Sequence, residues 1–468
     1  MPPKHIPKCT HTSNSYYTPS PHAAKAHYTQ PSKQQRLSAM KPSPSSNIPP
    51  PPTRTDLHNF PAPLVLPGDD LALDPEYSAQ SFQEWYAEEN RNPVTAARRT
   101  VYLVGPPETD GTGPMGIKEV RDWTVPGSWC NGDDDGSVST PKTGDVLDYL
   151  SAFFHGLPVK QLKMPKGKWL FTRWTDGEDR MKPKTGKRGK PKRTAESQTQ
   201  HIALSTPTEA IRIRTRPCPD KIYPRQLNLD DLLDVALSIL PSDAYALCML
   251  VHHDLYEDEE DSFVCGRAYG GSRVAVVSTA RYNPLLDGLF GVERVHAWPG
   301  AHCGGYVEDM CRKAGGLRKR ARVGVDDTAG SNGDAGHRDG PLESGLSVIR
   351  QHQRQQVGGR ESEGLWLWRI VRTVSHELCH CFGLDHCVYY ACIMQGSASL
   401  SEDTRQPPYL CPVDLAKVLC ATGASVEERD RALLRYCEGL RVRGAVYFRA
   451  FAAWLSRSLE GFEKDVDG

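Results

Sequence analysis

The sequence predicts an α+β fold, and three observations carry that expectation. Apolar runs rich in β-branched residues alternate with amphipathic segments of helical period between Phe82 and Ala280. One apolar segment, Leu365 to Val374, keeps helical spacing, and Leu367, Ile370, Val371, Val374 and Leu378 would share the buried face of one helix. The Pro-, Gly- and charge-rich stretches collect in blocks outside these elements, which leaves one domain with excursions rather than several.

Taken in order, residues 1–60 hold 12 of the 37 prolines and no acidic residue before Asp56. Such a segment has too little apolar surface to offset the entropy of ordering, so a disordered Pro/Ser-rich tail, dispensable for the fold, is expected there. A single domain is expected over residues 61–463. Phe82 to Tyr86 reads as a helix, and Thr100 to Val104 as a strand stopped by Gly105-Pro106-Pro107. Asp145 to Phe154 places Val146, Tyr149, Leu150 and Phe153 on one helical side. Leu229 to Ile239 reads as an amphipathic helix, Ala244 to Val251 as a buried strand, and Glu257 to Asp261 as a turn. Arg273 to Ala280 is a β-branched strand, readable equally as core or as a sheet edge that receives a substrate. Two basic, low-complexity insertions, 176–200 and 312–360, are expected to be surface excursions. Val426 to Leu440 reads as a helix.

Composition removes several function classes. Lys+Arg and Asp+Glu both total 57, so a surface devoted to nucleic-acid phosphate is not expected. The basic run Arg180 to Arg193 is the exception, readable as a solvated loop, a nuclear-import signal or a nucleic-acid contact. No run approaches the ~18 apolar residues of a membrane span, and the N-terminus carries no apolar signal core. An intracellular, cytoplasmic protein, with the nucleus as an alternative, is the expectation. Its 14 cysteines then read as metal ligands or buried thiols rather than a disulfide framework.

The chemistry concentrates in His376-Glu377-Leu378-Cys379-His380-Cys381-Phe382-Gly383-Leu384-Asp385-His386. Histidines at i and i+4 share a helix face and can hold one zinc. Gly383 permits the sharp turn that brings back His386 as a third ligand. Glu377 lies beside the open position and can take a proton from zinc-bound water. The string fits the pattern HExxHxxGxxH, the signature of metzincin zinc proteases. Cys379 and Cys381 read as packing thiols, and His252 and His253 as the end of a strand with a ligand role disfavoured.

The continuation His386-Cys387, Cys392, Met394 and Cys411 resembles the archaemetzincin family closely from Ser375 to Asp414. The resemblance implies a metzincin-like protease domain with a twisted mixed sheet, an active-site helix carrying HExxH, and a smaller C-terminal helical subdomain. It further implies a catalytic zinc on His376, His380 and His386, with Met394 as the Met-turn residue. A second, structural zinc on Cys387, Cys392, Cys411 and a fourth cysteine is implied too. Here Asp414 stands at that fourth place, a harder ligand than thiolate, with Cys420 as the substitute. Restoring the pattern by Asp414→Cys is expected to tighten that site and raise the melting temperature.

Two functions therefore stand at this stage. The first is a zinc metallopeptidase acting on peptide or protein substrates, aminopeptidase-like on short peptides. The second is a non-catalytic, zinc-stapled binding module whose basic insertions contact nucleic acid or a protein partner. Glu377 discriminates between them, because a purely structural zinc needs no proton carrier.

Overall fold

The computed structural model describes residues 9–466 apart from 12–13, 45–50, 52–53, 55, 110–117, 128–137, 175–200, 315–339, 356–359 and 440–445. The strands are β1 (Thr100–Val104), β2 (Val159–Gln161), β3 (Leu170–Arg173), β4 (His201–Ser205) and β5 (Ala210–Pro217). They continue with β6 (Arg225–Asn228), β7 (Ala244–Val251), β8 (Asp254–Tyr256), β9 (Gly266–Tyr269) and β10 (Val274–Ser278). One five-stranded sheet runs β2-β1-β7-β10-β9, and a second runs β3-β4-β5-β6-β8.

In the first sheet β2, β1, β7 and β10 are parallel, and β9 closes one side antiparallel. Every residue of β7 and β10 is buried, as parallel strands covered on both faces require. Period-two alternation then divides their side chains between two cores. Ala246, Cys248, Leu250, Ala275 and Val277 join the larger core, with Leu150, Phe153, Ile370, Val374 and Leu378 from the helices Thr143–Phe153 and Arg360–Cys381. Leu247, Met249, Val251, Val274 and Val276 face the other way, toward Leu232 and Leu233 of the helix Leu229–Ser238 and Phe171, Ile202 and Ile213 of the second sheet.

Four expectations change. The strand from Val274 is interior, flanked by β7 and β9, so it has no free edge for a substrate; on that side of the sheet the edge strand is β9. Residues 1–8 lie outside the described residues, but much of 9–60 packs rather than trailing as a tail. Tyr28 donates its hydroxyl to the Val388 carbonyl at 2.7 Å, and Gln30 Nε2 donates to the Tyr389 carbonyl at 2.7 Å. Buried Arg54 pairs with Asp430 at 2.7 Å and with Asp56 at 2.9 Å. Polar contacts to distant residues, rather than apolar periodicity, order this segment. The insertion 176–200 lies outside the described residues. The one at 312–360 contains a helix, Pro341–Gln355, packed on the helix Val446–Val466. Finally, Leu433, Phe448, Phe451 and Trp454 of the C-terminal helices share the larger core with the sheet, so these helices have no separate core of their own.

Candidate active site

The helix Arg360–Cys381 buries Leu367, Ile370, Val371, Val374 and Leu378 and carries His376, Glu377 and His380 at its C-terminal end. It stops where Gly383 takes φ +81°, a backbone region that costs glycine nothing. The chain then turns, and the three imidazole centroids converge at 4.7, 5.3 and 5.1 Å. His376 Nδ1 meets the Ile393 carbonyl at 2.7 Å, and His380 Nδ1 meets the Leu384 carbonyl at 2.6 Å. A carbonyl can only accept, so both Nδ1 atoms carry the hydrogen and both Nε2 atoms present lone pairs.

Those two Nε2 atoms stand 3.0 Å apart. Facing lone pairs repel unless a cation lies between them, so the donor set fits a metal ion. Burial, reinforced by the neighbouring imidazoles, holds His376 well below the usual imidazole range. Burial also brings His380 down to about 4 and lowers His386. Both effects favour the neutral, ligating form. The two carbonyls act as the outer hydrogen-bond partners that orient metal-binding histidines.

Glu377 is 8% exposed and lines a cleft of about 550 Å³ together with His376, His386 and residues 262–266 leading into β9. Burial pushes its carboxyl up to about 8. The approach of β9 is close: a Cβ on Gly266 would lie 3.3 Å from Glu377 Cγ. A Cβ on Gly270 would meet the His380 carbonyl oxygen at 2.5 Å, so the turn joining β9 and β10 requires glycine to seat against the helix.

One residue beyond His386 a second donor cluster begins. The ligand atoms of Cys387, Cys392, Cys411 and Asp414 lie within 4.8 Å of one another, all buried. Cys387 Sγ is 3.5 Å from Cys411 Sγ, and Asp414 Oδ2 is 3.4 Å from the sulfurs of both Cys392 and Cys411. Cys420, the proposed substitute ligand, is not in this group. Burial and the Cys387 thiolate push the Asp414 carboxyl up to about 7, against the pull of Lys417. Met394 is fully buried, and its carbonyl accepts the Cys387 amide at 2.7 Å. Thus Ile393 and Met394 hold His376 and Cys387 by successive carbonyls. Cys379 and Cys381 are buried in the core, while His252 bonds Thr279 Oγ1 and His253 bonds the Val120 carbonyl, each at 2.9 Å. None of these four joins a donor cluster among the described residues.

Comparison with known proteins bears on this site. The family model for Peptidase family M54 matches residues 347–418, which contain both donor clusters. Archaemetzincin-2 of Macaca fascicularis is 27% identical over 213 residues, 46% of this chain and 47% of that protein. Archaemetzincin-2 of Pongo abelii is 23% identical over 378 residues, 81% of this chain and 74% of that protein. Over the residues that hold both donor clusters the chain is similar to Peptidase family M54, and over longer stretches to the archaemetzincins. Alignment thus spans about half of the macaque archaemetzincin and about three quarters of the orangutan one. The crystal structure of an archaemetzincin from Methanopyrus kandleri is similar with a TM-score of 0.29 and 17% identity, over 71% of this chain and 99% of that one.

Three features of this site escaped sequence reasoning. A Cβ on Gly396 would lie 2.1 Å from Asp70 Oδ2 and 3.0 Å from His386 Nδ1, so a bare glycine lets Asp70 and the third histidine share one spot. The dipeptide Gln395-Gly396 after Met394 was the available signal. Lys417 is buried and donates to Asp414 Oδ1 at 2.9 Å and to the Gln80 carbonyl at 2.7 Å. Its position three residues after Asp414, on a helix opened by Pro412, could have revealed the pair. The free edge of β9 follows from sheet order, which leaves no local mark.

Proposed function

We propose that this chain hydrolyses peptide bonds with His376, His380 and His386 as zinc ligands and Glu377 as the proton carrier. The observation that carries the reading is the pair of imidazole lone pairs facing each other at 3.0 Å, beside a buried carboxyl in an open cleft. Zinc bound there supplies a Lewis acid for the scissile carbonyl and lowers the pKa of water to about 7. Glu377 accepts the proton of the attacking water and passes it to the departing amine. The peptide lies extended along the outer edge of β9 and pairs with it as an added strand.

The Cys387, Cys392, Cys411 and Asp414 cluster binds a second, structural zinc in the same reading. Its donors are buried and soft enough in sum, and Lys417 offsets part of their negative charge. Short peptides trimmed from the N-terminus, in a reducing intracellular setting, are the proposed substrates. The described cysteines form no disulfide with one another.

The test is digestion of a peptide library, with zinc measured on the same sample. Cleavage that stops on N-terminal acetylation identifies aminopeptidase action, and cleavage that persists identifies internal cutting. A zinc-replete protein that cuts no peptide overturns the reading.

A further inference from the structure

A third group of donors lies apart from both clusters, where the N-terminal segment meets residues 293–303. Residues 14–16 are stitched there by the Tyr16 amide to the His302 carbonyl at 2.8 Å, and by the Gly304 amide to the Asn14 carbonyl at 3.0 Å. Ser15 and Cys303 form an antiparallel bridge. This pairing delivers Cys9 and His11 against His296 and Cys303. The ligand atoms of Cys9, His11 and His296 all lie within 4.8 Å of one another. Cys9 Sγ is 3.7 Å from His11 Nδ1 and 3.8 Å from Cys303 Sγ.

Those separations have a chemical meaning. A disulfide would need about 2.05 Å between sulfurs. Tetrahedral zinc, with bonds of about 2.3 Å to sulfur and 2.0–2.1 Å to nitrogen, sets neighbouring donors roughly 3.3–3.8 Å apart. The Cys9 pairs fall at that spacing.

His296 supplies an independent observation. Its Nδ1 faces Glu293 Oε2 at 2.7 Å, which fixes the hydrogen on Nδ1 and leaves a lone pair on Nε2. The residue is 7% exposed, and Nε2 is buried without a hydrogen-bond partner. A buried acceptor left bare costs about 1–3 kcal/mol, and a cation removes that cost. The carboxylate on the far nitrogen is the arrangement metal-bound histidines use for orientation. Tyr306 stacks on the ring with centroids 3.9 Å apart and holds its plane. Gly300 admits His11: a Cβ there would lie 3.0 Å from His11 Cε1 and 2.5 Å from the Val295 carbonyl oxygen. Arg350 Nε donates to the His11 carbonyl at 3.0 Å and fastens its backbone.

We propose that Cys9, His11 and His296 bind a further structural zinc that ties the N-terminal segment to the body of the domain, with Cys303, 3.8 Å from Cys9 Sγ but outside the group of three, as the fourth donor. Two thiolates and two imidazoles are a common structural zinc set, and a closed site of this kind has no position for substrate. The ion contributes folding energy to residues 9–16, which have little apolar surface of their own. This site is independent of the catalytic reading: it can fail while hydrolysis stands, and the reverse.

The experiment compares zinc per chain in the full-length protein and in the double variant Cys9→Ser/His11→Ala, purified anaerobically. The variant should hold one zinc fewer and keep its peptide hydrolysis. Cys9→His should restore the missing ion, because imidazole replaces thiolate as a ligand. In the wild-type protein, iodoacetamide with peptide mapping should label Cys9 only after a chelator is added, a reading that needs no variant to fold. Equal zinc in wild type and double variant, a Cys9–Cys303 disulfide in the intact mass, or labelling of Cys9 indifferent to chelator would each overturn the proposal.

Discussion

Two donor clusters meet at one peptide bond, between His386 and Cys387, and they are built on opposite plans. The histidine trio opens on a cleft of about 550 Å³, with a carboxyl beside it and each of two rings steered by a backbone carbonyl. The cysteine–aspartate group is buried on all four members and has a lysine, rather than a cleft, as its neighbour. Open coordination leaves room for water and substrate; closed coordination spends every position on the protein. The contrast teaches that ligand type alone does not separate reactive from structural metal. What surrounds the donors separates them.

The strongest way to break this contrast is to remove chemistry and metal separately. Glu377→Gln should cut peptide hydrolysis by about 10³-fold or more while zinc content stays at the wild-type value. His376→Ala should lower both. If Glu377→Gln lost zinc, the carboxyl would be a ligand and the open plan would be misread.

The closed cluster comes next. Cys392→Ser should release one zinc at low chelator and lower the melting temperature. For Asp414→Cys the Lys417 pair changes the expectation read from sequence. A fourth thiolate should slow zinc release by chelator, yet Lys417 would lose its carboxylate, and breaking a buried pair costs about 3–5 kcal/mol. The melting temperature should therefore stay level or fall, and rise only when Lys417→Met is added. A rise with Asp414→Cys alone would show that the lysine contributes nothing there.

A smaller effect should come from Gly396→Ala, which places a methyl against Asp70 and His386. Zinc affinity at the histidine trio should fall about 10–100-fold, as for lost outer-shell order, with the cysteine cluster unchanged. Metal titration that shows both sites weakened equally would mean the clusters are not separable across their shared bond.

A buried histidine outside the donor clusters of the described residues serves as a reference. Burial lowers His253 to about 4, and its Nε2 is satisfied by the Val120 carbonyl. Because the folded pKa lies below the unfolded value of about 6.5, the unfolded chain binds more protons between pH 6.5 and 4. Stability should fall as pH drops through that window, by about 3 kcal/mol at most from this residue. Denaturation midpoints of His253→Gln should show a shallower pH slope, and adding zinc should not alter the difference.

Legibility in the sequence followed the range of the interaction. Histidines at i and i+4, and a glycine where the helix must end, are local facts, and the structure brings all three imidazoles together. The strands Thr100–Val104 and Ala244–Val251 showed themselves by composition for the same reason. The N-terminal segment did not, because its order comes from partners hundreds of residues away, such as Val388 for Tyr28 and Asp430 for Arg54. Cys9-x-His11 reads as nothing until His296 is beside it. The place of β10 between β7 and β9 depends on sheet order, which period-two patterning does not encode.

The length of the helix Arg360–Cys381 has an electrical consequence. Its 22 residues extend roughly 33 Å at 1.5 Å per residue, and its aligned peptide dipoles leave about half a negative charge at the C-terminal end. His376 and His380 occupy the last two turns, so the pole falls where the proposed cation would be held. A favourable field of this kind contributes about 0.3–1 kcal/mol at exposed sites and up to ~2 kcal/mol where water is partly excluded. The same pole resists ionisation of Glu377, working in the direction of burial. One element thus favours a cation at the histidines and, in the metal-free chain, a proton on the neighbouring carboxyl.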